Sequence, residues 1–197
     1  MNFNKVVITS ALRTAVGSLG KTLKNFPAHI LGSKVISEVI KDSNIKNENV
    51  DEIIIGQVLT GGSGQNPARQ AALNARIPKE KPAHIVNQVC GSGIRSVVSA
   101  YQSIKSDDSK IIIAGGQENM SLAPHAIHIR DEKKLGDVDL IDTMIKDGLL
   151  DAFHGYHMGI TAENVAEKFQ ISREEQDKFA FKSQEKALKA QKDKKFI

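Results

Sequence analysis

One stretch of the sequence combines a strand pattern, a cysteine between glycines and a helix pattern: AHIVNQVCGSGIRSVVSA, residues 83–100. The apolar run from Ala83 to Val86 is typical of a strand, and the residues after Gly93 have helical periodicity. Cys90, the only cysteine of the chain, falls where the strand passes into the helix. The N–H groups of the first helical turn are expected to point at its sulfur and favour the thiolate. The layout is similar to the nucleophile elbow of hydrolases, with sulfur in place of oxygen.

Two interpretations of Cys90 are open from this stretch alone. A lone cysteine is most often a small buried hydrophobe. Gly91 and Gly93 favour a nucleophile instead, because bare backbone on both sides would let a substrate approach the sulfur closely. Glycine also lets helices pack closely, so the flanking residues do not decide between the two interpretations.

The composition indicates one hydrophobic core and argues against several classes of protein. The chain has 197 residues, of which 40% are hydrophobic, enough for one core with a second small lobe. A single cysteine excludes an internal disulfide and fits a reducing compartment, so we expect a cytoplasmic location. No apolar run approaches the roughly 20 residues of a membrane span, and the first residues show no secretory signal pattern.

The net charge of +4 is concentrated near the end of the sequence. Residues 178–197 carry seven lysines against Glu185 and Asp193, a balance of +5 that leaves −1 for the rest of the chain. A solvated helix face explains such a stretch better than a nucleic-acid site does. The absence of tryptophan also argues against a surface for stacking bases, so we expect no nucleic-acid partner.

Strand and helix patterns alternate over the first 116 residues. The predicted strands are Val6–Thr9, Glu52–Gly56, Ala83–Val86 and Lys110–Gly116. The predicted helices are Pro27–Asp42, Ala68–Ala75, which the Asn66-Pro67 pair can start, and the helix that follows Gly93. The strands are mostly continuous apolar runs, which is typical of a sheet covered on both faces. The order predicts an α/β layered domain, in which ligands gather at the carboxyl ends of the strands.

The sequence changes in character after Gly116. Residues 117–160 predict an elaborated loop region, and Ser172 with Glu175 has the spacing of a capping box at the start of a helix that runs toward Lys192. His125 with His128 and His154 with His157 have helical spacing that can serve a metal. No cysteine lies near either pair, so ordinary polar histidines, or a histidine that contacts substrate, are the better interpretations and no metal site is predicted.

Five segments, in this order along the chain, resemble the thiolase family, in particular its biosynthetic acetyl-CoA acetyltransferase branch. They are SALRT at 10–14, GQNPARQ at 64–70, NQVCGSG at 87–93, GGQENMS at 115–121 and HMGITAEN at 157–164. Each segment alone is a weak signal, but all five occur in the family's order and spacing. The resemblance implies a thiolase-like layered αβα half-domain with a mixed sheet, residues 1–118, followed by part of a loop domain, residues 119–197.

The resemblance also implies a reaction and its site residues. Thiolases condense two acetyl-CoA molecules reversibly to acetoacetyl-CoA and CoA, with no permanently bound cofactor. Cys90 would carry the acyl group as a thioester, and its N–H would contribute to an oxyanion hole. Leu149, His157 and Met158 match positions that line the site for coenzyme A and the acyl group. The family forms dimers or tetramers; Gln65 and Asn66 match a dimer-interface segment, and residues 125–142 match a region that joins dimers.

The rest of the family's catalytic set is not found in these 197 residues. They contain no Asn-Glu-Ala-Phe segment, no Gly-His-Pro histidine and no second cysteine. We therefore expect the chain alone to have little turnover and to leave one face of its domain apolar and uncovered. It would be a gene fragment, a frameshifted product, or one piece of a split enzyme completed by a separate C-terminal chain. Two alternatives remain: a non-catalytic subunit that binds another thiolase chain, and a hydrolytic cysteine enzyme with His84 or His157 as its base.

Overall fold

Three of the four predicted strands form one parallel sheet in the computed structural model, which describes residues 5–129 and 135–195. The strands are β1 (Glu52–Gly56), β2 (Ala83–Val86) and β3 (Ile112–Gly116), in the order β2-β1-β3. Ile55 of the central strand is paired with Ile85 on one side and with Gly115 on the other. Because the strands are parallel, their carboxyl ends meet at one edge of the sheet.

Helices cover both faces of this sheet. They are α1 (Ala28–Asp42), α2 (Pro67–Asn74) and α3 (Ser92–Lys105), close to the predicted ranges. Ile53 and Ile55 of β1 point into a buried cluster with α1 and α2, and the alternation along the strand sends Ile54 to the opposite face, where α3 packs. The predicted αβα layering is therefore confirmed.

The alanines of α2 explain how that helix approaches the sheet. Ala68, Ala71 and Ala72 are fully buried, and such small side chains allow the helix backbone to lie close to the strands. Asn66 begins the helix as its N-cap, because its side chain accepts the N–H of Arg69 at 3.1 Å, and Pro67 follows in the first turn. The Asn-Pro pair thus starts the helix as the sequence predicted.

The predicted first strand, Val6–Thr9, is wrong. The segment has no strand conformation, and Val7 and Ile8 are 71% and 78% exposed. Its contacts are side-chain hydrogen bonds at the end of α1, from Ser10 to Asp42 at 2.6 Å and between Thr9 and Ser43 at 3.2 Å. A short apolar run becomes a strand only beside a neighbour that completes its hydrogen bonds, and the described strands pair only with one another.

Residues after β3 have short elements, in agreement with the predicted loop region. A separate antiparallel pair joins β4 (His125–Ala126) to β5 (Ile141–Asp142), and α4 (Thr143–Gly148) follows. Within the described residues the three-stranded sheet is wholly parallel and the antiparallel pair forms a sheet of its own, so the single mixed sheet that the resemblance implied is not seen. Part of the region expected to join dimers, residues 130–134, lies outside the described residues.

The chain divides into two compact units, residues 1–148 and 149–197. The second unit contains α5 (Met158–Lys168) and α6 (Arg173–Lys192). The predicted capping box is present, since Ser172 and Glu175 bond each other's backbone N–H groups. Within residues 5–129 and 135–195, none of the helices has the length and apolarity that crossing a bilayer requires. The expected domain boundary after residue 118 stays a prediction.

Candidate active site

Cys90 lies in the turn between β2 and α3, and its side chain is exposed. Exposure excludes the interpretation of this cysteine as a buried hydrophobe. Val89, directly before it, has a φ of 48°, in the left-handed region. A β-branched side chain there costs on the order of 1–2 kcal/mol. Contacts elsewhere in the fold must therefore hold the turn that presents Cys90.

Polar side chains on both sides of Cys90 supply some of those contacts. Asn87 Oδ1 accepts the N–H of Val89 at 2.9 Å. Ser92 Oγ accepts the N–H of Gln88 at 2.9 Å and donates to the carbonyl of Val89 at 2.6 Å. These three bonds satisfy the backbone of the turn before and after the strained residue. Ser92 is 4% exposed, so its bonds are shielded from water.

Backbone N–H groups remain available beside the sulfur. The N–H groups of Gly91 and Ser92 donate to Gln88 and Val89 within the turn. Those of Cys90, Gly93 and Ile94 donate to no carbonyl in the described part of the chain. The first turn of α3 can therefore offer donors to an anion near Cys90. Gly93 also has open space on its Cα, which agrees with the predicted bare backbone on that side.

Glycines at the ends of two strands allow the start of α3 to rest on the sheet. A Cβ on Gly56 would lie 2.4 Å from the carbonyl carbon of Ser92 and 2.6 Å from the nitrogen of Gly93. A Cβ on Gly116 would lie 3.5 Å from the Cα of Gly93. Ser96 Oγ, fully buried, lies 2.7 Å from the carbonyl oxygens of Gly93 and Gly115. The position of Cys90 thus depends on close backbone packing against β1 and β3.

Glu118 follows β3 and supports the loop that follows β1. Its carboxylate accepts the N–H of Val58 at 2.8 Å and the N–H of Leu59 at 3.3 Å. Desolvation by burial raises the pKa of Glu118, against the opposing effect of these two hydrogen bonds. The carbonyl of Val58 accepts the side chain of Asn87 at 3.4 Å. The peptide group between Val58 and Leu59 therefore contacts both sides: its N–H binds Glu118 and its carbonyl binds Asn87 of the cysteine turn.

The residues predicted to bind coenzyme A are close together within the second unit. The N–H of Met158 donates to the carbonyl of Leu149 at 2.9 Å, and His157 is the N-cap of α5. The Nδ1 atom of His157 accepts the N–H of Gly159 at 3.0 Å, which leaves its Nε2 atom as the free ring nitrogen. Met158 is 38% exposed, His157 is exposed and Leu149 is half-buried, so solvent can reach this group of three residues.

Three other histidines lie near carboxylates. His84 Nδ1 lies 3.1 Å from Glu52 at the start of β1, His125 lies 3.9 Å from Asp142, and His154 lies 2.8 Å from Asp151. The backbone N–H and ring of His154 lower the pKa of Asp151. In the portion of the chain that the structure describes, no group of three or more histidine, cysteine or acidic side chains is placed to hold a metal ion.

Six residues that support the site were not predicted from the sequence: Gly56, Asn87, Val89, Ser92, Ser96 and Glu118. Asn87 and Ser92 are in the quoted cysteine motif, and Glu118 is in another of the quoted motifs. Their polar side chains beside strand ends were a usable signal for Asn87 and Glu118. No local signal distinguishes the glycine at position 56, since its contact is with residues 36 positions further along the chain.

Comparison with known proteins gives one consistent result. Residues 6–197 match the model of the thiolase N-terminal domain. The chain is 56% identical over 192 residues to an acetyl-CoA acetyltransferase of Rhizobium meliloti, covering 98% of this chain and 49% of that protein. It is 54% identical over 187 residues to a cytosolic acetyl-CoA acetyltransferase of Rattus norvegicus, covering 95% of this chain and 47% of that protein.

The site is thus an exposed cysteine in a strand-turn-helix elbow on a layered αβα sheet. The chain belongs to the thiolase family and corresponds to its N-terminal domain. It spans about half the length of the curated relatives it matches. The resemblance inferred from the five motifs is thereby confirmed.

Proposed function

We propose that this chain carries the nucleophile half of an acetyl-CoA C-acetyltransferase. The observation that supports the proposal is the exposed Cys90, which lies at the carboxyl edge of a parallel sheet in a turn that side-chain hydrogen bonds hold in place. A cysteine kept only for packing would be buried and would need no strained residue beside it. The names of the relatives supply the substrate class, a coenzyme A thioester.

The proposed reaction has two halves. In the first, the Cys90 thiolate attacks the carbonyl carbon of acetyl-CoA; the bond from that carbon to the CoA sulfur breaks, and CoA leaves and takes up a proton. In the second, another acetyl-CoA loses a proton from its methyl carbon and attacks the acetyl-cysteine thioester. A C–C bond forms, the bond to Cys90 breaks, and acetoacetyl-CoA is released. The N–H of Cys90 would stabilise the oxyanion of each step.

Leu149, His157 and Met158 would contact the pantetheine and acyl parts of the substrate in this proposal. Their closeness to one another and their solvent accessibility within the second unit support such a role. Coenzyme A would enter as substrate and leave as product, with no resident cofactor. The cytosolic relative from rat supports a cytoplasmic location.

The base and the second acid/base group of the reaction have no counterpart in residues 1–197, and we propose that they come from a complementing C-terminal chain or segment. The exposed apolar side of α3 supports such a partner, since Ile94 is 71% exposed and Tyr101 is 52% exposed. The assembled protein would be a homo-oligomer, dimer or tetramer, as the family resemblance implies. Alone, residues 1–197 would have little turnover.

The test measures thiolysis of acetoacetyl-CoA by the purified chain, with and without a separately produced second half of a relative, and with Cys90→Ala as the control. We expect turnover only when both halves are present and Cys90 is intact. Turnover that persists in Cys90→Ala would overturn the nucleophile assignment. Turnover by the chain alone would overturn the claim that a second half is needed.

The same apolar side of α3 supports a second candidate, a non-catalytic subunit that binds another thiolase chain. In that case the two halves would form a complex on size exclusion, yet Cys90→Ala would leave the activity of the partner unchanged. Mass spectrometry after incubation with acetyl-CoA separates the two functions, because only the catalytic role leaves an acetyl group on Cys90.

A further inference from the structure

A continuous series of hydrogen bonds joins Glu118 to the cysteine turn. The carboxylate accepts the N–H of Val58 at 2.8 Å, and the carbonyl of Val58 accepts Nδ2 of Asn87 at 3.4 Å. The Oδ1 atom of Asn87 accepts the N–H of Val89 at 2.9 Å. Val89 is the strained residue whose carbonyl carbon is bonded to the nitrogen of Cys90. The first two bonds therefore join the end of β3 to the end of β1 and the end of β1 to the end of β2, and the third lies within the cysteine turn.

Glu118 binds the backbone N–H groups of the loop that follows β1, and the side chain of Gln57 binds the carbonyl of Leu59 in the same loop at 3.0 Å. Val58 and Leu59 lie two and three residues after the end of β1, beyond the last bond to the neighbouring strand, which Gln57 donates to Val86. Their N–H groups point at the carboxylate, whose Oε2 atom lies 2.8 Å from the nitrogen of Val58 and 3.4 Å from the nitrogen of Leu59. An acceptor that binds both groups fixes the direction of the Val58 carbonyl, and with it the direction of the bond to Asn87.

We propose that Glu118 is a positioning residue for Cys90, which acts through Val58 and Asn87 to keep Val89 in its left-handed conformation. The inference rests on the proposed function, since it names a residue that supports the nucleophile of that site. Glu118 itself touches no reacting atom in this proposal. Its role is to keep the cysteine sulfur beside the N–H groups of the first turn of α3.

Asp51 provides a matched control for Glu118. It also accepts two consecutive backbone N–H groups about 60 positions away, from Lys110 at 2.9 Å and Ile111 at 3.0 Å. It lies at the amino end of β1, opposite the edge that carries Cys90. Loss of either carboxylate removes the same kind of bond from the sheet, but only Glu118 is joined to the cysteine turn.

The experiment measures the second-order rate of alkylation of Cys90 by iodoacetamide in the folded full chain, together with the melting temperature. Cys90 is the only cysteine, so the reaction reports on one site. We expect Glu118→Ala to slow alkylation about two- to fivefold, the usual contribution of a helix N-terminus to a nearby anion. We expect Asp51→Ala to leave the rate unchanged while it lowers the melting temperature. An unchanged rate in Glu118→Ala, or an equal slowdown in both variants, would overturn the proposal.

Two further variants keep the test decisive if Glu118→Ala does not fold. Glu118→Gln retains the volume and one acceptor oxygen, so its slowdown should be smaller and in the same direction; an unchanged rate would count against the role. Asn87→Ala should slow alkylation similarly, and combining it with Glu118→Gln should add little, because both act through one series of bonds. Full additivity of the two effects would contradict the proposed path.

Alkylation requires neither coenzyme A nor a second half. A chain that fails in thiolysis even with a second half present, yet shows the Glu118-dependent alkylation rate, would contradict the proposed function and keep the positioning role. A chain that is active in thiolysis with a second half, yet whose alkylation rate does not depend on Glu118, would support the proposed function and overturn the positioning role.

Discussion

Each end of the parallel sheet has a carboxylate that binds two backbone N–H groups, but the pKa values of the two carboxylates are shifted in opposite directions. Asp51 at the amino end and Glu118 at the carboxyl end each accept two consecutive backbone N–H groups from a distant segment. The N–H groups of Lys110 and Ile111 lower the pKa of Asp51, with a smaller contribution from Lys81. Desolvation by burial instead raises the pKa of Glu118.

The difference shows that hydrogen bonds alone do not decide whether a carboxylate stabilises a fold. Asp51 keeps 36% of its side chain exposed, so its charge remains hydrated while it gains two donors. For Glu118, the effect of lost hydration on the pKa is larger than the opposing effect of its two hydrogen-bond donors. Raised pKa values of this kind occur at functional sites as well as at structural ones, and Glu118 lies at the same edge of the sheet as Cys90.

The largest expected effect tests how tightly the carboxyl end is packed. Gly56→Ala would place a methyl group 2.4–2.6 Å from the backbone of Ser92 and Gly93, so the start of α3 must move. We expect a loss of about 3 kcal/mol in the free energy of unfolding, measured by urea denaturation, at the upper end of the usual cost of overpacking.

Gly115→Ala is the matched control for that variant. Gly115 pairs with Ile55 on the neighbouring strand and has open space on its Cα. The free energy of unfolding of this variant should change by about 0.5 kcal/mol or less. Equal losses in the two variants would show that the packing of α3 on Gly56 is not the reason for the glycine.

The second effect concerns the amino end. Asp51→Asn should cost about 1 kcal/mol near neutral pH, since it weakens two bonds to a charged acceptor that is partly solvated. The folded pKa of Asp51 is lowered, so the stability it contributes is present above its unfolded pKa and is lost as the pH falls through the folded pKa. Urea titrations of both proteins across the acidic range should therefore converge at low pH. A difference that grows on acidification would contradict this assignment.

The third effect has the opposite sign at the carboxyl end. The folded pKa of Glu118 is raised, so its relative contribution to stability is greatest below the unfolded pKa and is lost as the pH rises through the folded pKa. We expect Glu118→Gln to be most destabilising, relative to the original chain, at acidic pH and least so near neutral pH. The same urea titrations measure this effect. If the loss of unfolding free energy changed with pH in the same direction for the Asp51 and Glu118 variants, the proposed difference between the two ends would be contradicted.

The smallest effect concerns the strain beside Cys90. Asparagine tolerates the left-handed region better than valine does, so Val89→Asn should raise stability by about 0.5 kcal/mol. Arg76→Asn is the control, because Arg76 has a φ of 62° without a β-branched side chain and should gain less. Thermal denaturation compares the two. An equal gain would mean that the valine at position 89 adds no special strain.

Short-range patterns in the sequence predicted most of the elements. The capping box at Ser172, the Asn-Pro start of α2 and the ranges of β1 and β2 were all confirmed. Each depends on residues within about four positions of one another, where periodicity and turn chemistry act directly. The prediction for Val6–Thr9 failed because an apolar run does not specify the neighbour that a strand needs.

The motif around Cys90 was likewise sufficient to predict an elbow and, with four other motifs, the family. What the linear pattern does not contain is the set of contacts that make the elbow rigid. The carboxylate of Glu118 reaches Val58 across 60 positions, and Gly56 meets the start of α3 across 36. The sequence therefore determined which residue is the candidate nucleophile, because that depends on neighbours along the chain. Only the folded structure decided what supports the nucleophile, because backbone contact and burial arise when distant segments are packed together.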